Sequence, residues 1–169
     1  MKRRKRPSRM SEPEFRRFLD DTIRTFYAIP LNGEFGFGRM VRDGDLACYA
    51  IKSPTIPSLD EIERAPVLSV VTVHFDEFVT GRWQEIGRRP VSGAADTPVK
   101  YFREDPITGF LDIYVEGEFQ PYAGEDLTRM ERLSVWNAEH IESRLKNHFA
   151  GRPDPSVEAL KYERRKRNE

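Results

Sequence analysis

The sequence predicts an α+β fold: a strongly bent, mainly antiparallel sheet, at its extreme a partly open barrel, covered by a C-terminal helix. Three observations carry this. Short alternating segments succeed one another with tight-turn residues between them, leaving few places for the long crossovers that parallel strands need. The stretch Phe26 to Val41, FYAIPLNGEFGFGRMV, places Asn32-Gly33 between two alternating arms, and both residues tolerate the positive φ of a two-residue type I′ turn. One long amphipathic helix lies near the end, with Ile141, Leu145 and Phe149 spaced i, i+4, i+8.

In chain order, residues 1–12 are charged, Pro-containing and aperiodic, and are expected to be a disordered basic tail. PEFRRFLDD (13–21) suits a short helix, with Pro13 in its first turn and Phe15, Phe18 and Leu19 on one stripe. Strand content begins at Thr22 and runs into the opening hairpin. On its first arm Phe26, Ala28 and Pro30 share one face, and Tyr27, Ile29 and Leu31 the other. On the return arm Phe35, Phe37 and Arg39 share a side, while Gly36 and Gly38 leave the opposite side bare. A bare glycine face marks sharp curvature or a close approach by another part of the chain.

Asp43-Gly44 is the next turn and Leu46–Lys52 the third strand, completing a meander. After Pro54 and Pro57, Ser58 caps a short acidic helix with Glu61 at the capping-box position. VLSVVTVHF (67–75) is the most apolar run and, being β-branched, reads as a central strand. Residues 76–81 form a charged bend, RWQEIG (82–87) a short strand with Trp83 at a corner of the core, and 88–98 a loop. Val99–Arg103 and Phe110–Val115 form a hairpin around DPITG, with Glu118–Tyr122 as one more strand. Residues 125–135 are compatible with a helix or an irregular edge. Asn137 then caps the final helix, Gly151 and Pro153 end it, and the residues beyond Pro155 read as a charged tail. The organisation expected is a single domain over 13–151 between tails at 1–12 and 152–169.

Apolar residues make up 38% of the 169-residue chain and charged residues 33%, which suggests a heavily charged surface. The net charge of zero is unevenly spread. Six of the 28 basic residues lie in 2–9 and five in 161–169, where only Glu163 and Glu169 are acidic. Residues 10–160 therefore hold 17 basic against 26 acidic residues, a body of net charge −9. Such a body favours a basic partner and disfavours direct docking on a phosphate backbone. The basic N-terminus lacks the apolar stretch of a signal peptide, and no apolar run has the length to cross a bilayer. The single cysteine, Cys48, sits in a strand pattern and is expected to be buried and reduced, as in a cytoplasm.

Catalytic and cofactor signatures are absent: there is no P-loop, GxSxG elbow, HExxH or CxxC pair. Gly33, Gly36 and Gly38 sit at a hairpin rather than in a strand-to-helix turn, so they do not read as a nucleotide loop. His140 and His148 are two helical turns apart and cannot chelate one ion together, and nothing lies at ligand spacing from His74. The expectation is a protein without enzyme activity, cofactor or metal.

Four stretches in order carry a family resemblance: FYAIPLNGEFGFGRMV, GRWQEIGRRPV, FREDPITGFLDIYV and VWNAEHIESRL. Together, over about Phe26 to Phe149, they resemble the immunity protein 26 family of bacterial polymorphic toxin systems. The resemblance implies a small cytoplasmic protein that binds and neutralises a cognate toxin, a nuclease among the candidates, without catalysis. It also implies that Gly33, Gly36, Gly38, Arg39, Trp83, Gly87, Pro90 and Arg144 are family scaffold positions rather than toxin contacts. A buried Arg39 would need a carboxylate partner.

An acidic body would steer a basic toxin toward it. The acidic clusters Asp60-Glu61-Glu63, Asp76-Glu77 and Glu116-Glu118 are the candidate contacts. The weaker alternative is a nucleic-acid-binding protein that stacks bases on Phe35, Phe37 and Tyr49 and holds phosphates with its basic tails. A third reading, a small-molecule site or enzyme, would be favoured by a polar-floored cavity containing His74 or Arg39. The sequence leaves the oligomeric state open.

Overall fold

The computed structural model describes residues 10–42, 44–74 and 81–163. The expectations for residues 1–9, for Asp43, for the bend over 76–80 and for the tail over 164–169 lie outside them. The chain is α+β, with two mixed, mostly antiparallel sheets that do not close into a barrel.

Helix α1 (Glu12–Thr22) leads into the meander β1 (Thr25–Leu31), β2 (Glu34–Arg42) and β3 (Asp45–Ser53). The turn has Asn32 at φ 52° and Gly33 at φ 94°, the two positive values a type I′ turn requires. Helix α2 (Leu59–Arg64) starts on a complete capping box. The Glu61 amide donates to Ser58 Oγ, and the Ser58 amide donates to Glu61 Oε2. Then come β4 (Val67–Val73), β5 (Gln84–Arg88), a 3₁₀ turn at Gly93–Asp96, and β6 (Tyr101–Glu104), β7 (Leu111–Val115) and β8 (Glu118–Pro121). A 3₁₀ turn at Leu127–Arg129, β9 (Glu131–Arg132), β10 (Val135–Trp136), α3 (Ala138–Phe149) and α4 (Pro155–Ala159) complete the order.

The large sheet runs β10-β4-β3-β2-β1-β5 and the small one β8-β7-β6-β9. Residues 131–136, which have no clean periodicity, serve both: β9 pairs parallel with β6, and β10 pairs parallel with β4. Two two-residue strands for two different sheets cannot show a period of either kind. The sheets also touch through Tyr101, whose hydroxyl donates to the Val70 carbonyl at 2.6 Å.

The large sheet is buried on both faces. Tyr27, Ile29, Leu31, Met40, Leu46, Cys48 and Val71 face α1 and α3, where they meet Phe18, Ile141 and Leu145. Phe26, Ala28, Phe37 and Tyr49 face Ile62 of α2. Each large apolar side chain among them contributes about 1.5–3 kcal/mol by leaving water. The bare glycine side lies beneath α3. A Cβ on Gly36 would stand 2.9 Å from Leu31 Cδ1 and 3.0 Å from Leu145 Cδ1, and one on Gly38 would crowd Leu46 and Ile29. The register against β3 also shifts between Gly36 and Gly38, so close approach and bending coincide there.

Asn137 holds the N-cap position of α3, but its side chain makes no capping bond. Past Gly151, Asp154 Oδ1 accepts from the amides of Ser156 and Val157 and starts α4. Val157 and Leu160 pack on the main core and Tyr162 on the core of the small sheet. The charged segment after Pro155 thus contributes three apolar anchors, too sparse to stand out as a stripe.

Candidate functional site

The face of the large sheet toward α2 is built around one cation. Arg39 leaves β2 on the same side as Phe37 and is 1% exposed. Its guanidinium lies 4.5 Å from the Phe26 ring centroid. Nη1 donates to Glu63 Oε1 at 2.8 Å, and Nη2 donates to the carbonyls of Arg89 (2.6 Å) and Pro90. Glu63 is therefore the carboxylate that a buried Arg39 requires. Glu63 Oε2 accepts from Arg89 Nη1 at 3.0 Å, and the same nitrogen donates to Asp60. Gly87, at φ 154°, passes so close to Leu59 that a Cβ would sit 2.7 Å from it.

Of the other motif positions, Trp83 is buried and Arg144 half-buried, while Gly33 and Pro90 are exposed. Trp83 Nε1 donates to Glu142 Oε1 at 3.1 Å, and Arg82 forks onto the same carboxylate at 2.8 and 3.0 Å. Burial pushes the Glu142 carboxyl up, but the bonds from Arg82 and Trp83 outweigh it and hold it below the usual range. Arg144 pairs with Glu131 through both terminal nitrogens and lies over Trp136.

The three acidic clusters fare differently. Asp60, Glu61 and Glu63 all have internal partners: Arg89, the Ser58 cap, and the pair Arg39 and Arg89. Asp76 and Glu77 lie outside the described residues. Glu116 and Glu118 flank the β7–β8 turn, with Glu116 at φ 50° and Gly117 at φ 90°. Both carboxylates are exposed, and neither has a hydrogen bond or ion pair among the described residues.

Beside them lies a surface that the sequence reading did not single out. Strand pairing puts Tyr101, Tyr114 and Phe119 in one row across the small sheet. Tyr101 is buried, and Phe119 at the outer end is 47% exposed. Arg103 lies 3.8 Å over the Phe119 ring and pairs with Asp112. Phe110, beside the β6–β7 hairpin, is 67% exposed, and Ile107 at the hairpin tip 92%. A cavity of about 500 Å³ opens between this row and the large sheet, walled by Val41, Asp45, Thr72, Val99, Tyr114 and Glu116. The signal was present: a sheet with one buried face that still carries aromatics on its other face.

Base stacking on Phe37 and Tyr49 is ruled out by packing, since they are 0% and 2% exposed within the α2 core, with Phe35 packed against it. This corrects the nucleic-acid reading as far as it rests on those rings. Among the described residues no cluster of His, Cys, Asp and Glu could hold a metal ion. No described helix is long and apolar enough to cross a membrane.

Comparison with known proteins covers the first two of the four stretches and part of the third; VWNAEHIESRL, with Arg144, lies beyond it. The family model for immunity protein 26 matches residues 25–109, half of the chain, from β1 into the β6–β7 hairpin. The chain belongs to the immunity protein 26 family, and so to the class of proteins that protect against a toxin. No curated protein and no solved structure matches it.

Proposed function

We propose that the chain neutralises a cognate toxin of a bacterial polymorphic toxin system by binding it in the cytoplasm, without catalysis. The contact in this reading is the exposed β7–β8 end of the small sheet. The observation that carries it is the exposed Phe119 of β8 next to the β7–β8 turn that bears Glu116 and Glu118, carboxylates without a partner among the described residues. Aromatics that anchor in a partner's pockets supply most of an interface's affinity, and flanking charges set the approach. A basic toxin, such as a nuclease, complements both these carboxylates and the net charge of −9 over residues 10–160. The Asp60-Glu61-Glu63 cluster is less suited to contact, because each carboxylate already serves the fold.

The test is co-expression with the toxin domain encoded next to this chain's gene. Rescue of growth together with a co-purifying complex supports the reading. Rescue that survives Phe119→Ala and Glu116→Lys/Glu118→Lys, with unchanged affinity, moves the contact elsewhere. Unaffected toxicity and no complex overturn the reading.

A further inference from the structure

A second cavity, about 370 Å³, lies between α2, the large sheet and the 3₁₀ turn at Gly93–Asp96. Its size falls within the roughly 300–1,000 Å³ of small-ligand sites. Arg39, Tyr49, Glu63, Arg64, Ser92 and Ala95 are in its wall. The donors and acceptors around it do not balance. Both Glu63 oxygens are occupied, one by Arg39 and one by Arg89. The Arg39 Nε–H, by contrast, is buried and has no acceptor among the described residues. A buried, unsatisfied donor is costly, and more so on a charged group. Ser92 makes no capping bond with its hydroxyl. Tyr49 keeps its phenolic proton at neutral pH, since burial raises its pKa by more than the nearby Arg39 lowers it.

Charge is unbalanced in the same direction. Of the ionised side chains on the cavity wall, Arg39 and Arg64 are cations and Glu63 is the one anion among the described residues. Arg64, on the cavity wall, has no ion pair within 4 Å among the described residues. The site therefore offers hydrogen-bond donors and one surplus positive charge. A monoanionic carboxylate matches both counts. A phosphate dianion would bring one negative charge too many beside Glu63.

We propose that this cavity binds a carboxylate group, held by the Arg39 Nε–H and the Tyr49 hydroxyl, with Arg64 balancing its charge. The site does not depend on the toxin surface and is tested without a toxin. The full chain is titrated with sodium acetate, following the Arg39 Nε–H resonance and the amides of Gly93, Ala94 and Ala95 by NMR, against sodium chloride at equal ionic strength. Saturable shifts with acetate alone are expected, weakened about tenfold in Tyr49→Phe and in Arg64→Gln, each the loss of one good hydrogen bond or charge. Unchanged thermal unfolding of both variants shows that the fold persists. An uncharged-ended peptide with a central Asp separates the sources: its binding assigns the site to a protein side chain, whereas binding of acetate alone assigns it to a free small acid. Shifts that do not saturate, that chloride reproduces, or that inorganic phosphate produces more strongly than acetate overturn the proposal.

Discussion

Removing the Glu63 carboxylate should unfold this protein more readily, and by an amount the structure bounds. In Glu63→Ala, Arg39 keeps its two carbonyl acceptors but loses its counter-ion, while its side chain remains 1% exposed. Breaking a buried pair from one side costs about 3–5 kcal/mol. Glu63 itself is 26% exposed, so water can partly take its place, and the cost falls to about 2–3 kcal/mol. For a chain of this size that lowers Tm by roughly 5–10 °C. Urea unfolding followed by tryptophan fluorescence measures it, with an unchanged m-value confirming that stability alone has moved. The double variant Arg39→Met/Glu63→Ala should lose less than the sum of the two single changes, since the stranded charge is gone. A loss below about 0.5 kcal/mol in Glu63→Ala, the range of ordinary surface changes, would refute the assignment. So would intact stability with weakened toxin binding, which would return Glu63 to the interface.

Phe119→Ala should weaken toxin binding by about 30-fold or more through faster dissociation, with little change in Tm, read by surface plasmon resonance. Glu116→Lys/Glu118→Lys should instead slow association, an effect that fades as salt is raised. The carboxyls of Glu142 and Asp154 are held below the usual range in the folded chain, despite burial that pushes both up, by Arg82 and Trp83 and by Asn147 with the amides of α4. Their contribution is present above the unfolded values of about 4.3 and 3.9 and is lost as pH falls through the lower folded ones. Acid titration of stability should therefore show a loss beginning below about pH 4.5, shallower in Glu142→Gln. Burial pushes the Cys48 thiol up to about 12, against a smaller opposing pull from Arg144, so iodoacetamide at about pH 8 should label it only at the rate of unfolding. Gly36→Ala should cost about 1–3 kcal/mol by driving a methyl between Leu31 and Leu145, measured in the same urea assay.

Much of the fold is written in short windows of sequence. Asn32-Gly33, the Ser58–Glu61 box and the i, i+4, i+8 stripe of α3 each state their conformation within a few residues, and each is found in place. The family too was legible, because its motifs are such local pieces in a particular order. The sites were much less so. Net charge marked an acidic body, but which of its acids are spent depends on arginines far along the chain: Glu63 meets Arg39 across 24 residues and Arg89 across 26.

By itself, then, the sequence determined the turns, caps, strand alternation and charge balance, all properties of residues near one another in the chain. Tertiary structure alone decided the rest. It divided the strands between two sheets stitched by residues 131–136, set α3 on the glycine face, and left Glu116, Glu118 and Phe119 outward. The physical reason is that pairing and burial are relations between distant segments, and a residue's type does not say which distant segment will cover it.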